Sequence, residues 1–137
     1  MDAELDKDLL ERARAAMDKA HAPYSNFPVG ALVRGASGTW YAGCNVENAA
    51  YPSGNCAETS AIAALVLAGE RRIEEVVVMG RGEALVTPCG GCRQRLREFA
   101  SDEVEIHICG PEGRRKTVTL GDLLPLSFGP EHVKDPA

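Results

Sequence analysis

Cys56-Ala57-Glu58 and Pro88-Cys89-Gly90-Gly91-Cys92 are the two stretches around which any fold of this chain has to close. Three cysteines from two distant motifs can converge on one centre, while Glu58 supplies a carboxylate that need not join them. Three thiolates leave tetrahedral zinc one open position, for water, whereas a structural zinc site closes that position with another Cys or His. The triad with a spare acid beside it therefore reads as a catalytic Zn2+ site. A closed structural site completed by Cys44 or Cys109 is the alternative.

The local pattern favours thiolate. Cys-x-x-Cys behind a proline reads as a helix N-terminus, where unpaired backbone N–H groups and the macrodipole stabilise negative sulfur. Cys56 opens a second predicted helix, so two helix starts facing one another would gather the three sulfurs and aim Glu58 at the open position. Cys-x-x-Cys alone also marks redox sites and zinc ribbons. Both motifs in this order and spacing are a strong signal, and they resemble the zinc signature of deaminases that has Cys in place of His at the first ligand and a Glu that is not a ligand.

The chain around them has the size of one domain. At 137 residues it can bury one core but not two, so residues 1–137 are expected to form a single domain, with 129–137 a loose tail. No apolar run is long enough to span a membrane, and the acidic start Met1-Asp2-Ala3-Glu4 is unlike a secretory signal, so a cytoplasmic location is expected. Five cysteines in such a compartment read as metal ligands and buried thiols, not disulfides. A formal net charge of −5 argues against nucleic acid as a partner.

Read in order, residues 2–20 place Leu5, Leu9, Ala13, Met17 and Ala20 at helical spacing, ended by Pro23. Val29–Val33 and Thr39–Cys44 are predicted strands joined through Gly35-Ala36-Ser37-Gly38, hence an antiparallel pair. Cys56–Ala68 is apolar on nearly every side and is predicted to be a helix buried all round. Its alanines allow close packing against another subunit. Val76–Met79 is a continuous apolar run, expected as a strand covered on both faces. A helix over Cys89–Ala100 follows, its arginines solvated or paired with Glu98 or another acid, although Arg93 sits close enough in sequence to influence the thiolates. Val104, Ile106 and Ile108 alternate with Glu103, Glu105 and His107, which makes His107 an outward residue of a half-exposed strand. Lys116–Leu120 reads as the last strand, and Asp122 as the cap of a short helix stopped by Pro125. The order predicts an α/β fold: a three-layer α/β/α sandwich around a mixed five-stranded sheet.

Asn45 and Glu47 follow the second strand two residues apart. On a continuing extended backbone their side chains share one side, and an amide beside a carboxylate suits a ribose hydroxyl. Asx residues at strand ends also make turns, and Phe27 also suits a core.

With the zinc motifs, Pro23-Tyr24-Ser25-Asn26-Phe27-Pro28-Val29-Gly30-Ala31, Gly43-Cys44-Asn45-Val46-Glu47-Asn48 and Leu123-Leu124-Pro125-Leu126-Ser127-Phe128-Gly129-Pro130 give the chain a resemblance along nearly its whole length. It resembles the cytidine deaminases of the small, three-cysteine, homotetrameric kind. The resemblance implies zinc held by Cys56, Cys89 and Cys92, with Glu58 as the catalytic proton carrier. It implies substrate contacts from Phe27, Asn45, Glu47, Tyr51, Ala57 and Phe128, some of them across a subunit boundary. The expected reaction is hydrolytic deamination of cytidine or deoxycytidine in pyrimidine salvage. A deaminase for blasticidin S or a base-modified cytidine is the first alternative, and a non-catalytic zinc-binding module the second. One departure stands out: the family usually has Arg directly after Cys-Ala-Glu, and this chain has Thr59. Either another cation, with Arg93 the nearest candidate in sequence, supplies the missing positive charge, or Thr59 donates only a neutral hydrogen bond and the centre stays electron-rich.

Overall fold

The computed structural model describes residues 7–134. Leu5, expected on the first helix, lies outside them. The elements run α1 (Lys7–Asp18), β1 (Val29–Gly35), β2 (Trp40–Cys44), α2 (Ala57–Leu67), β3 (Ile73–Gly80), α3 (Gly90–Arg97), β4 (Glu105–Gly110), β5 (Gly113–Thr119) and α4 (Leu120–Leu123). The sheet order is β2-β1-β3-β4-β5, antiparallel throughout except for the parallel β3–β4 pair. A parallel pair needs a crossover, and α3 supplies it.

Alternation along β3 builds a core on each face of the sheet. Val76 and Val78 join Ala31, Val33, Ile106 and Ile108 under α2 and α3, packed with Ala61, Leu65 and Leu96. Val77 and Met79 face the other way, with Leu32 and Cys109, against Leu9, Ala13 and Met17 of α1. This is the expected three-layer sandwich. Two glycines bring the helices close. A Cβ at Gly43 would lie 2.3 Å from the Ala61 nitrogen and 2.5 Å from the Ala57 oxygen, so α2 sits directly on β2. At Gly30 a Cβ would lie 2.4 Å from the Ala13 oxygen, which seats α1.

Four expectations are corrected. His107 is not outward: it is fully buried, with Nε2 2.5 Å from Glu75 Oε2 and Nδ1 2.8 Å from Thr117 Oγ1. Alternation failed there because β4 lies inside the sheet and is buried on both faces beyond Glu105, its exposed first residue, so the polar position at His107 is interior. Arg34 holds the other oxygen of Glu75. The helix over α2 is not buried all round within this chain: Ala63 is exposed and Leu67 is 90% exposed. The cap of α4 is Thr119, whose hydroxyl accepts from the Asp122 N–H (3.1 Å), while Asp122 accepts the Thr119 N–H (3.0 Å) from the third position. The segment read as a loose tail is held over residues 129–134. Pro130–His132 forms a 3-10 turn, and Arg97 bonds Ser127 Oγ (2.8 Å) and pairs with Glu131. Arg97 also pairs with Asp102 (3.7 Å), not with Glu98.

Candidate zinc site and cavity

Both cysteine motifs sit where helices begin. Cys56 is the N-cap of α2 and Cys89 the N-cap of α3, each with extended backbone and neither spending its side chain on a capping bond. Cys92 lies one turn into α3 and is buried. The sulfurs therefore turn inward, toward one another, at the positive ends of two helices. Cys56 Sγ lies 3.7 Å from Cys89 Sγ, and all three sulfurs fall within 4.8 Å of one another. Zn–S bonds near 2.3 Å place tetrahedral sulfurs about 3.8 Å apart, so this donor set fits zinc. Neither Cys44 nor Cys109 joins the cluster among the described residues. Cys109 belongs to the core on the α1 face, where burial pushes its thiol up to about 11.

Electrostatics at the cluster also suit a cation. Burial pushes the Cys56 and Cys92 thiols up, with the neighbouring Glu58 charge adding to both. At Cys89 burial acts in the same direction, but hydrogen bonds from the Cys92 backbone and the other two sulfurs outweigh it and lower the thiol. A divalent cation would relieve this mutual repulsion and release protons as it binds.

Glu58 follows Cys56 by two residues on the first turn of α2 and is only 4% exposed. Burial pushes its carboxyl above the ordinary range, as suits a group that takes up and returns a proton near neutral pH. Thr59 Oγ1 stands 3.7 Å from Cys92 Sγ. Arg93 does not spend its N–H groups on sulfur; they go to Pro88 O, Thr87 Oγ1 and Leu123 O.

Above the sulfurs opens a cavity of about 240 Å³, lined by Phe27, Asn45, Glu47, Cys56, Ala57, Glu58 and Cys89 together with Ser25, Val29, Val86 and Thr87. Asn45 and Glu47 serve this wall and also brace its loop. Asn45 accepts the Val29 N–H (2.9 Å) and donates to Phe27 O (3.0 Å). Glu47 accepts the N–H groups of Tyr24 (3.0 Å) and Ser25 (3.1 Å) and the Ser25 hydroxyl, which hold its carboxyl below the usual range. Phe27 is carried on that loop, 41% exposed.

Two expected residues do not reach this cavity within one chain. Tyr51 is 74% exposed and lines a neighbouring hollow of about 330 Å³ with Tyr24, which shares Ser25 and Glu47 with the cavity. Phe128 is 60% exposed and stacks on His132 at 5.1 Å, with its carbonyl held by Gln94. Val86 and Thr87 were not expected. The signal available was their place directly before Pro88-Cys89.

Comparison with known proteins agrees with this geometry. Residues 3–108 match the family described as cytidine and deoxycytidylate deaminase zinc-binding region. The cytidine deaminase of Sporosarcina psychrophila is 38% identical over 125 residues, covering 91% of this chain and 92% of that protein. That of Halalkalibacterium halodurans is 33% identical over 127 residues, covering 93% and 96%. The crystal structure of cytidine deaminase from Burkholderia pseudomallei matches with a TM-score of 0.83 at 39% identity, over 90% of this chain and 100% of that one.

Proposed function

Because the chain belongs to the cytidine and deoxycytidylate deaminase family, we propose that Cys56, Cys89 and Cys92 hold Zn2+ and that Glu58 carries protons in the hydrolytic deamination of cytidine or deoxycytidine. The observation that carries this reading is the convergence of three sulfurs beside one buried carboxylate, with Cys56, Cys89 and Glu58 lining a cavity. Bound there, zinc supplies a Lewis acid that makes water nucleophilic near neutral pH.

This chain's residues do the rest. Water adds to C4 of the cytosine ring and ammonia leaves, so protons must pass from water to N3 and then to the departing amine. Glu58, with a raised affinity for the proton, performs both transfers. The backbone at Ala57 and Cys89 meets the edge of the ring, and Phe27 stacks near it. Asn45 and Glu47, which line the same cavity, receive the ribose hydroxyls. A zinc module without catalysis has no use for a desolvated carboxylate in this position.

Homotetramer formation, a cytoplasmic location and a role in pyrimidine salvage complete the proposal. Exposed Ala63 and Leu67 on α2, with exposed Tyr51 and Phe128, support association, since the latter two complete a site only if supplied to another copy. Among the described residues no helix is long and apolar enough to cross a membrane. A panel assay tests the substrate assignment: zinc content is measured alongside ammonia release from cytidine, deoxycytidine, base-modified cytidine and blasticidin S. Turnover confined to the last two substrates would overturn it.

A further inference from the structure

Arg93 follows Cys92, yet its guanidinium turns to the loop that carries Cys89. Nε donates to Pro88 O (2.7 Å), one terminal nitrogen to Thr87 Oγ1 (3.1 Å) and the other to Leu123 O (2.9 Å). The first two acceptors belong to the two residues just before Cys89, and Thr87 is part of the cavity wall. The third is the last residue of α4, whose chain runs on to Phe128. Gln94 and Arg97, on the same helix, hold that outgoing segment at Phe128 O and Ser127 Oγ. One helix therefore fixes the metal-ligand loop and the C-terminal segment together, and Arg93 is the residue that bonds both that loop and the end of α4 from which the segment leaves.

We propose that Arg93 is a positioning residue that couples the order of the Thr87–Cys89 loop, and so retention of zinc, to the order of the segment after α4. A planar guanidinium can satisfy three acceptors in three directions at once, which an ammonium on a flexible stem cannot. The role thus depends on shape, and charge alone does not replace it. The inference rests on Cys89 being a zinc ligand.

The test compares Arg93→Lys, which keeps the charge, with Thr87→Val, which removes one acceptor and leaves Arg93 in place. Release of zinc from the loaded proteins to a chromogenic chelator and amide exchange over residues 124–128 are both measured. Arg93→Lys is expected to release zinc on the order of ten- to a hundredfold faster, as loss of a group that orients a ligand does. Exchange over 124–128 is expected to accelerate roughly tenfold, because the end of α4 from which those residues leave loses its bond to Arg93. Thr87→Val is expected to speed metal release by a smaller factor. Arg93→Lys with wild-type values in both measurements overturns the proposal, and so does faster release with unchanged exchange. Failure of Arg93→Lys to fold leaves Thr87→Val as the deciding variant, and wild-type release there overturns the proposal. Should the wild-type protein retain no zinc, the ligand assignment falls, and the exchange measurement still decides the part played by Arg93.

Discussion

Thr59 Oγ1 lies 3.7 Å from Cys92 Sγ, where it can offer the thiolate a hydroxyl and no charge. Three thiolates overcompensate a divalent cation, so the surroundings decide how strong a Lewis acid remains. Arg93, the nearest cation in sequence, directs its N–H groups to two carbonyls and a hydroxyl. The N-termini of α2 and α3 supply positive potential there.

Thr59→Arg should therefore make water at the site more acidic. Because added positive charge favours the deprotonated form, the acidic limb of the kcat/KM pH profile should move to lower pH, and activity on cytidine at neutral pH should rise. An unmoved profile in a folded, zinc-loaded variant would show that the charge is balanced elsewhere.

Cysteine replacement should divide the five cysteines cleanly. Serine at 56, 89 or 92 should abolish stoichiometric zinc, whereas Cys44→Ser and Cys109→Ser should keep one zinc per chain, read by metal analysis after gel filtration. Cys109 is separated from the cluster by the sheet itself.

The burial of Glu58 carries a pH signature in the metal-free protein. Its folded pKa is raised above the unfolded value of 4.5, so the folded state disfavours the charged form. The resulting destabilisation is absent below the unfolded pKa and complete above the folded one. Metal-free Glu58→Gln should thus melt higher than the wild type at about pH 7, and the difference should close as pH falls toward about 4.5. A constant difference across that range would assign the effect to packing.

His107 marks where reading the sequence stopped working. Alternation in Val104–Ile108 is a pattern of two faces, and it says nothing about whether the polar face is covered. That depends on β5 and Glu75 arriving from elsewhere in the chain. His107→Leu should cost about 2 kcal/mol in denaturant unfolding, because a buried hydrogen bond to a charged partner is lost. A change within about 0.5 kcal/mol would match a surface position instead.

The convergence of Cys56, Cys89 and Cys92 and the place of Glu58 beside them were legible because such residue types stand at short spacing, and helix starts fix where they point. The β3 run was legible because four consecutive apolar residues admit little besides a doubly covered strand. The outer face of α2 was not, since Ala63 and Leu67 are as apolar as the residues they adjoin and differ only in what lies against them. Asn45 and Glu47 were half legible. Their shared wall followed from the strand, while their bonds to the loop at 24–29 depend on how that loop folds back.

The most direct test of the account is ammonia release from cytidine by Glu58→Gln carrying its zinc. Glu58 is outside the sulfur cluster yet buried beside it, so the amide should leave metal content and fold unchanged while removing the proton carrier. The expected result is one zinc per chain, wild-type thermal stability or better, and kcat lower by about a thousandfold or more. Near-normal turnover by a zinc-loaded, folded Glu58→Gln would contradict the account.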